Sequence, residues 1–518
     1  MGILSVVEET METLYTYTDD VGGTPMRSSG VLMHITSLPG PYGIGTLGQQ
    51  AYDFVDFLHD AGQTYWQILP LTPTGYGDSP YQSCSAFAGN HYLIDLVQLA
   101  EEGLLEYSEL DSIDWGAQAD RVDYGLLYQN RLNVLRKAYS RFNDHEDCAR
   151  FCALNNDWLP DFALYMALKD KYGGAPWYQW DDPIKFRNTE ALESAVTELE
   201  ADIRFYSFVQ YLFSKQWNAL REYAQTKKIK IIGDVPIYVP YDSVETWAEP
   251  EYFQFDENMT PTAVAGCPPD AFTEDGQLWG NPLYRWDLMR KDGYRWWIRR
   301  LNATAKLYDV VRLDHFRGFE AYWSVPFGDT TARNGKWIKG PGMDFINVVK
   351  EKLPQIHFIA EDLGFLTQEV LDLRDRSGFP GMKVLEFAFD SRESSDYLPH
   401  TYPRNSVCYT GTHDNMTMRQ WFETASPSAV AYATEYMGLS EQEGMVWGVI
   451  RTAHASVSDL CVIQMQDLLN LGEEARMNFP GTLTGANWTW RAKDGFTKGD
   501  LAQRFYNMTR LYGRLDKE

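Results

Sequence analysis

Eight short apolar runs constrain the fold of this chain more than any other feature of its sequence. They are Gly30–Ile35, Tyr65–Leu71, Ile229–Val235, Tyr308–Leu313, His357–Ala360, Met382–Phe387, Val407–Thr410 and Leu460–Met465. Each reads as a buried strand. Between the first two, apolar Ala51, Phe54, Val55, Leu58 and Ala61 recur at helical spacing, and Gly62 stands where a helix C-cap belongs. That is one β-α-β unit. Eight such strands separated mostly by helical stretches predict an α/β fold, a (β/α)8 TIM barrel in preference to a doubly wound sheet.

Spacing locates the insertions. A plain barrel takes roughly 250 residues over eight units, whereas strand two ends near Pro70 and strand three near Asp234. The excess predicts large, mostly helical insertions on the C-terminal face of the barrel. Residues 100–225 carry helical patterns, among them Leu126–Tyr139 and Asp202–Tyr223, and are expected to form a helical subdomain on the rim. Residues 236–300, rich in Pro, Gly and Trp, read as a second, loop-rich insertion. On this reading residues 27–518 are one interrupted catalytic barrel, and residues 1–26 are an irregular or weakly helical leader.

Composition narrows the partners. The net charge is −26, which disfavours nucleic acid and anionic membrane surfaces and leaves a neutral partner as the better fit. The chain has 17 Trp and 32 Tyr, residues whose flat amphipathic faces suit sugar rings. No secretory signal and no apolar run of membrane-spanning length is visible, so a soluble cytoplasmic protein is expected. Cys148 and Cys152 are four apart, but no second Cys/His pair completes a zinc site. Reduced thiols, no metal and no cofactor are therefore expected, and the oligomeric state is left open.

Chemistry concentrates where strands end. Asp234, Arg312-Leu-Asp314-His315, Glu361-Asp362 and His413-Asp414-Asn415 each stand at the C-terminal end of an expected strand, and in a barrel those ends converge on the active-site face. A lone Asp after a strand is most often a helix N-cap; four such ends make a constellation. There is no Ser-His-Asp order and no Gly-rich phosphate loop. Paired carboxylates are what retaining glycoside chemistry needs, at about 5–5.5 Å, and neighbouring strands lie about 4.8 Å apart. Arg312, two residues before Asp314 on the same strand face, is expected to pair with it and keep it ionised.

At these residues the chain resembles the 4-α-glucanotransferases of glycoside hydrolase family 77 (amylomaltases or disproportionating enzymes), relatives of the α-amylases. The motifs run from about residue 27 to the C-terminus: SSGVLMHITSLPGPYGIGTLG, PTGYGDSPYQSCSAFAGN, GCPPDAFTEDGQLWGNPLY, VVRLDHFRGF, FIAEDLG, YTGTHDN, NFPGT and NWTWR. The resemblance implies transfer of an α-1,4-glucan segment from a donor to the 4-hydroxyl of glucose or a maltooligosaccharide. The reaction would be a double displacement through a covalent glycosyl-Asp314 intermediate. It implies Asp314 as nucleophile, Glu361 as general acid/base and Asp414 as the carboxylate that holds the 2- and 3-hydroxyls. His315 and His413 would hydrogen-bond the glucosyl unit, with Asp234 behind the site. Tyr81 would stack on the bound ring, and Ser79 and Trp279 would line the donor site. Residues 266–284, carrying Asp270, Glu274 and Trp279, would form an active-site lid, and Tyr76 part of a secondary glucan site. A hydrolase on the same carboxylates, or a non-catalytic glycan-binding barrel, are the competing readings. Core packing is the expectation for Trp488 and Trp490. The Trp177–Trp180 cluster is left between glucan contact and helix packing.

Overall fold

The structure, a computed structural model, describes residues 27–75, 77–269, 274–364, 366–389 and 395–516. Its strands in chain order are β1 (Ser28–Leu32), β2 (Tyr65–Gln67), β3 (Lys230–Val235), β4 (Ala263–Cys267), β5 (Gln277–Pro282), β6 (Val310–Leu313), β7 (Ala321–Pro326), β8 (Lys336–Lys339), β9 (His357–Ala360), β10 (Gly381–Val384), β11 (Ser406–Tyr409) and β12 (Leu460–Gln464). β1, β2, β3, β6, β9, β10, β11 and β12 pair in that order, all parallel, and β12 returns to β1. This is the predicted eight-stranded barrel.

Every predicted run overlaps one barrel strand, but several runs extend past it. Ile35–Ser37 and Leu385–Phe387 are single 3-10 turns rather than strand. Ile35 and Leu385 in them are fully buried, and an apolar residue in a buried turn looks the same in sequence as one in a buried strand. The first helix, Gln49–Asp60, lays Phe54, Val55 and Leu58 on the barrel, with the Phe54 ring 5.0 Å from that of Trp66. Gly62 follows with φ 67°, a left-handed conformation that glycine adopts at no steric cost.

Close packing of the barrel wall yields a test of its rigidity. A Cβ on Gly233 would lie 2.1 Å from the Tyr308 ring, and the Tyr308 hydroxyl itself accepts a bond from the Leu71 N–H at 3.3 Å. Gly233→Ala is expected to cost about 1–3 kcal/mol, the usual scale of overpacking. Chemical denaturation would show it as a lower midpoint at unchanged slope; an unchanged midpoint would mean that the Tyr308 ring yields freely.

Between β2 and β3 the chain is helical, with Tyr124–Ser140, Leu159–Lys171 and the 27-residue Glu200–Thr226 as its longest members. Trp177 and Trp180 are buried there, so packing accounts for them. A second sheet was not legible in the sequence. β5, β4, β7 and β8 form, in that order, an antiparallel sheet. β4 and β5 lie in the stretch read as loop-rich. They are short, they carry Gly266, Gly280 and Pro282, and their pairing shifts register between Val264 and Gly266. Such strands leave no period-2 signal. Among the described residues no helix is long and apolar enough to cross a membrane.

Candidate active site

Strand register assembles the site. Asp234 on β3 stands directly opposite Arg312 on β6, and the ladder runs on past the strand ends: Asp314 N–H donates to the Val235 carbonyl and Glu361 N–H to the Leu313 carbonyl, each at 3.0 Å. Asp314 and Glu361 are thus the first residues beyond two adjacent strands, at the C-terminal mouth of the barrel. The next residue after β9, Asp362, alternates to the other side. It is buried, pairs with Arg374 at 2.7 Å and accepts the Met382 N–H at 2.7 Å, a staple between strands rather than part of the site.

Arg312 is the hub. Its Nη1 lies 2.6 Å from Asp234 and 3.0 Å from Asp314, and its side chain is 4% exposed. The expected pairing with Asp314 is present, and Arg312 favours its ionised form as expected, but burial weighs more. Burial, reinforced by the charges of Asp234 and Glu361, pushes Asp314 up to about 7 against the pull of Arg312. One guanidinium is shared between two carboxylates, so it cannot offset the desolvation of both. Glu361 is raised as well, by burial first. The Arg312 charge and two backbone donors oppose that rise: His315 N–H to Oε2 at 2.7 Å and Leu363 N–H to Oε1 at 2.9 Å. Two adjacent carboxyls that both hold protons more tightly than usual titrate as a pair.

The third carboxylate differs. Asp414 is half-exposed, and its partial desolvation is outweighed by His413, whose Nε2 is 3.4 Å away, and by the Asn478 amide at 2.6 Å, so it is held down to about 2. Arg476 donates to its carbonyl at 3.1 Å. Asn478 and Arg476 went unassigned in the sequence, although Asn478 opens the NFPGT motif.

Aromatic rings build the walls. Tyr81 stacks on His413 with centroids 5.0 Å apart and planes 19° from parallel, and its hydroxyl donates to Asp234 at 2.7 Å. Trp488 closes the cluster, 5.9 Å from both rings. Like Trp490 it is buried, so the core expectation holds, yet it packs beneath site residues. His315 adopts the left-handed region at φ 51° and meets Trp279 of β5 edge to face at 4.8 Å. Burial and the Arg317 charge lower His315 to about 3, so its imidazole is neutral at ordinary pH. Ser79 accepts from the Tyr81 N–H at 3.2 Å, shaping the turn that presents Tyr81.

The remaining candidates scatter. Glu274 is exposed, and its partner at 3.4 Å is Arg333 rather than a residue of the site. Tyr76 and Asp270 lie outside the described residues, as does the leader 1–26. Among the described residues no cluster of three or more His, Cys, Asp or Glu could hold a metal ion.

Comparison with known proteins places the whole described barrel in one family. A family model described as 4-alpha-glucanotransferase matches residues 33–497. The chain is 52% identical over 488 residues to a 4-alpha-glucanotransferase of Clostridium butyricum, covering 93% of this chain and 100% of that one. It is 48% identical over 502 residues to one from Thermus thermophilus, covering 94% and 99%. A solved amylomaltase from Streptococcus agalactiae, in complex with acarbose, superposes with a TM-score of 0.92 at 43% identity, covering 95% of this chain and 100% of that chain.

Proposed function

Because this chain belongs to the 4-alpha-glucanotransferase family, we propose that Asp314 and Glu361 exchange α-1,4-glucosidic bonds with retention, Asp414 holding the sugar between them. The observation that carries the reading is the pair of strand-end carboxyls on β6 and β9, only one of which touches Arg312. A pair that shares one proton near neutrality places it away from the cation. Asp314, anchored by Arg312, is then the ionised nucleophile and Glu361 carries the proton.

An Asp314 oxygen attacks the anomeric carbon while Glu361 gives its proton to the glycosidic oxygen; the fragment on the reducing side leaves with a free 4-hydroxyl. Glu361, now ionised, takes the proton from the 4-hydroxyl of an incoming glucose or maltooligosaccharide. That oxygen displaces Asp314 and restores the α configuration. Asp414, ionised at any working pH, accepts bonds from the 2- and 3-hydroxyls, and these strengthen as the ring flattens. Tyr81, His413 and His315 surround the same sugar, with Ser79 and Asp234 fixing Tyr81 from behind. Residues 266–284, whose described part is the β4–β5 hairpin with Trp279 against His315, serve as the lid that keeps water from the intermediate. The complex of the Streptococcus relative with acarbose supports binding of a sugar ligand.

The test is incubation with pure maltotriose, following free glucose and total reducing ends. Glucose and a ladder of longer oligosaccharides should appear while reducing ends stay constant. Reducing ends that rise with each bond broken, with no ladder, would make water the acceptor and the protein a hydrolase.

A further inference from the structure

The turn that presents Asp414 is gripped from both sides by carboxyl groups, and the chemistry above uses neither. From the β12 side, buried Asp467 accepts the Met418 N–H at 2.7 Å and the Thr410 hydroxyl at 2.6 Å, while Gln464 donates to the Met416 carbonyl at 3.1 Å. From the β10 side, Glu386 accepts the Met416 N–H at 3.4 Å, with the Asn415 amide against the same carboxyl. The Glu386 backbone is itself pinned, its N–H donating to the Thr410 carbonyl at 3.2 Å. Asn415 Oδ1 closes the turn by accepting the Thr412 N–H at 2.9 Å and its hydroxyl at 2.8 Å. Asp414 is the open corner of that turn.

We infer that Glu386 is a positioning residue for Asp414, acting through the Asn415 side chain and the Met416 backbone. The inference rests on Asp414 being the carboxylate that holds the sugar. In this role Glu386 works as a neutral acid. Its Oε2 is buried with no partner, and a charged oxygen left there would be costly. The charged groups around it are Asp467 from beyond β12 and Arg476 from the following loop. Burial pushes Glu386 up to about 8, with Asp467 adding to the rise and the Met416 N–H and Arg476 opposing it. Once ionised, Glu386 attracts the Arg476 guanidinium, which otherwise donates to the Asp414 carbonyl at 3.1 Å, and the turn shifts.

Three variants test this with maltotriose across pH. Glu386→Ala should lower kcat by about 10- to 100-fold, the scale of a misplaced reacting group, with KM changed far less. Glu386→Gln, which keeps the acceptor oxygen and cannot ionise, should restore most of kcat at neutral pH and remove the part of the alkaline decline that ionisation of Glu386 near pH 8 is expected to add to that of the Asp314–Glu361 pair. An unaltered alkaline limb in Glu386→Gln overturns the proposal even if Glu386→Ala does not fold, and so does native kcat in a folded Glu386→Ala. Asp414→Asn separates the two readings. If it keeps native kcat, the role of Asp414 fails and this proposal with it; if it loses activity while the Glu386 variants do not, this proposal alone fails.

Discussion

Asp314→Asn is expected to lower kcat for maltotriose disproportionation by on the order of 10⁴-fold or more, as when a nucleophile is removed from a site whose groups act as a unit. The substitution is isosteric, and its oxygen still accepts from Arg312, which keeps Asp234 as a second partner at 2.6 Å. The fold should therefore survive, and an unchanged melting temperature would show that chemistry alone was lost. A second signature follows from charge. The Glu361 charge raises the proton affinity of Asp314, and like charges on neighbouring strand ends act on each other, so removing one carboxylate should let the other titrate at lower pH. In the Asn variant the Glu361 carboxyl, followed by NMR or by difference infrared spectroscopy, should ionise below the pH at which it does in the native pair. An Asp314→Asn protein with more than about one hundredth of native kcat would remove Asp314 from its role, since no loss that small fits an absent nucleophile.

The separation between what was and was not legible in the sequence follows the range of the interactions. The barrel strands were legible because a strand covered on both faces must be a continuous apolar run, and such runs are local. The strand-end carboxylates were legible for the same reason: Asp314 and Glu361 follow Leu313 and Ala360 directly. The side sheet was not, because β4 is held by β7, nearly 60 positions further on, through Gly266 against Trp323 rather than by any pattern of its own. The balance of charge was only partly legible, for the same reason. Arg312 two residues from Asp314 is a local fact; that Asp234 faces Arg312 across the β3–β6 register and shares its guanidinium is not. The contact of Asn478 with Asp414 spans 64 positions, and the stacking of Tyr81 on His413 spans 332. Residue type says that each can bond, and only the fold says to what.

Glu361→Gln should separate proton transfer from nucleophilic attack. With maltotriose as donor, kcat is expected to fall by about 10²–10⁴-fold, the usual contribution of a general acid–base. The substituted amide would still fill the space, and its oxygen could still accept one of the His315 and Leu363 N–H groups that bond Glu361 at 2.7 and 2.9 Å. The position of Asp314 one strand away should therefore not change. A donor whose leaving group needs no proton, such as an α-maltosyl fluoride, should then glycosylate Asp314 at close to the native rate. The intermediate should accumulate, because a sugar hydroxyl no longer has a base to deprotonate it. Azide, a nucleophile that carries no proton, should discharge it as the α-glycosyl azide, with retention. Three observations thus bear on one residue: the loss with maltotriose, the recovery of the first step with the fluoride, and release by azide. If the fluoride is turned over as poorly as maltotriose and azide has no effect, Glu361 does something other than move the proton. The pairing of its carboxyl with Asp314 across adjacent strand ends would then have to be explained by substrate binding instead.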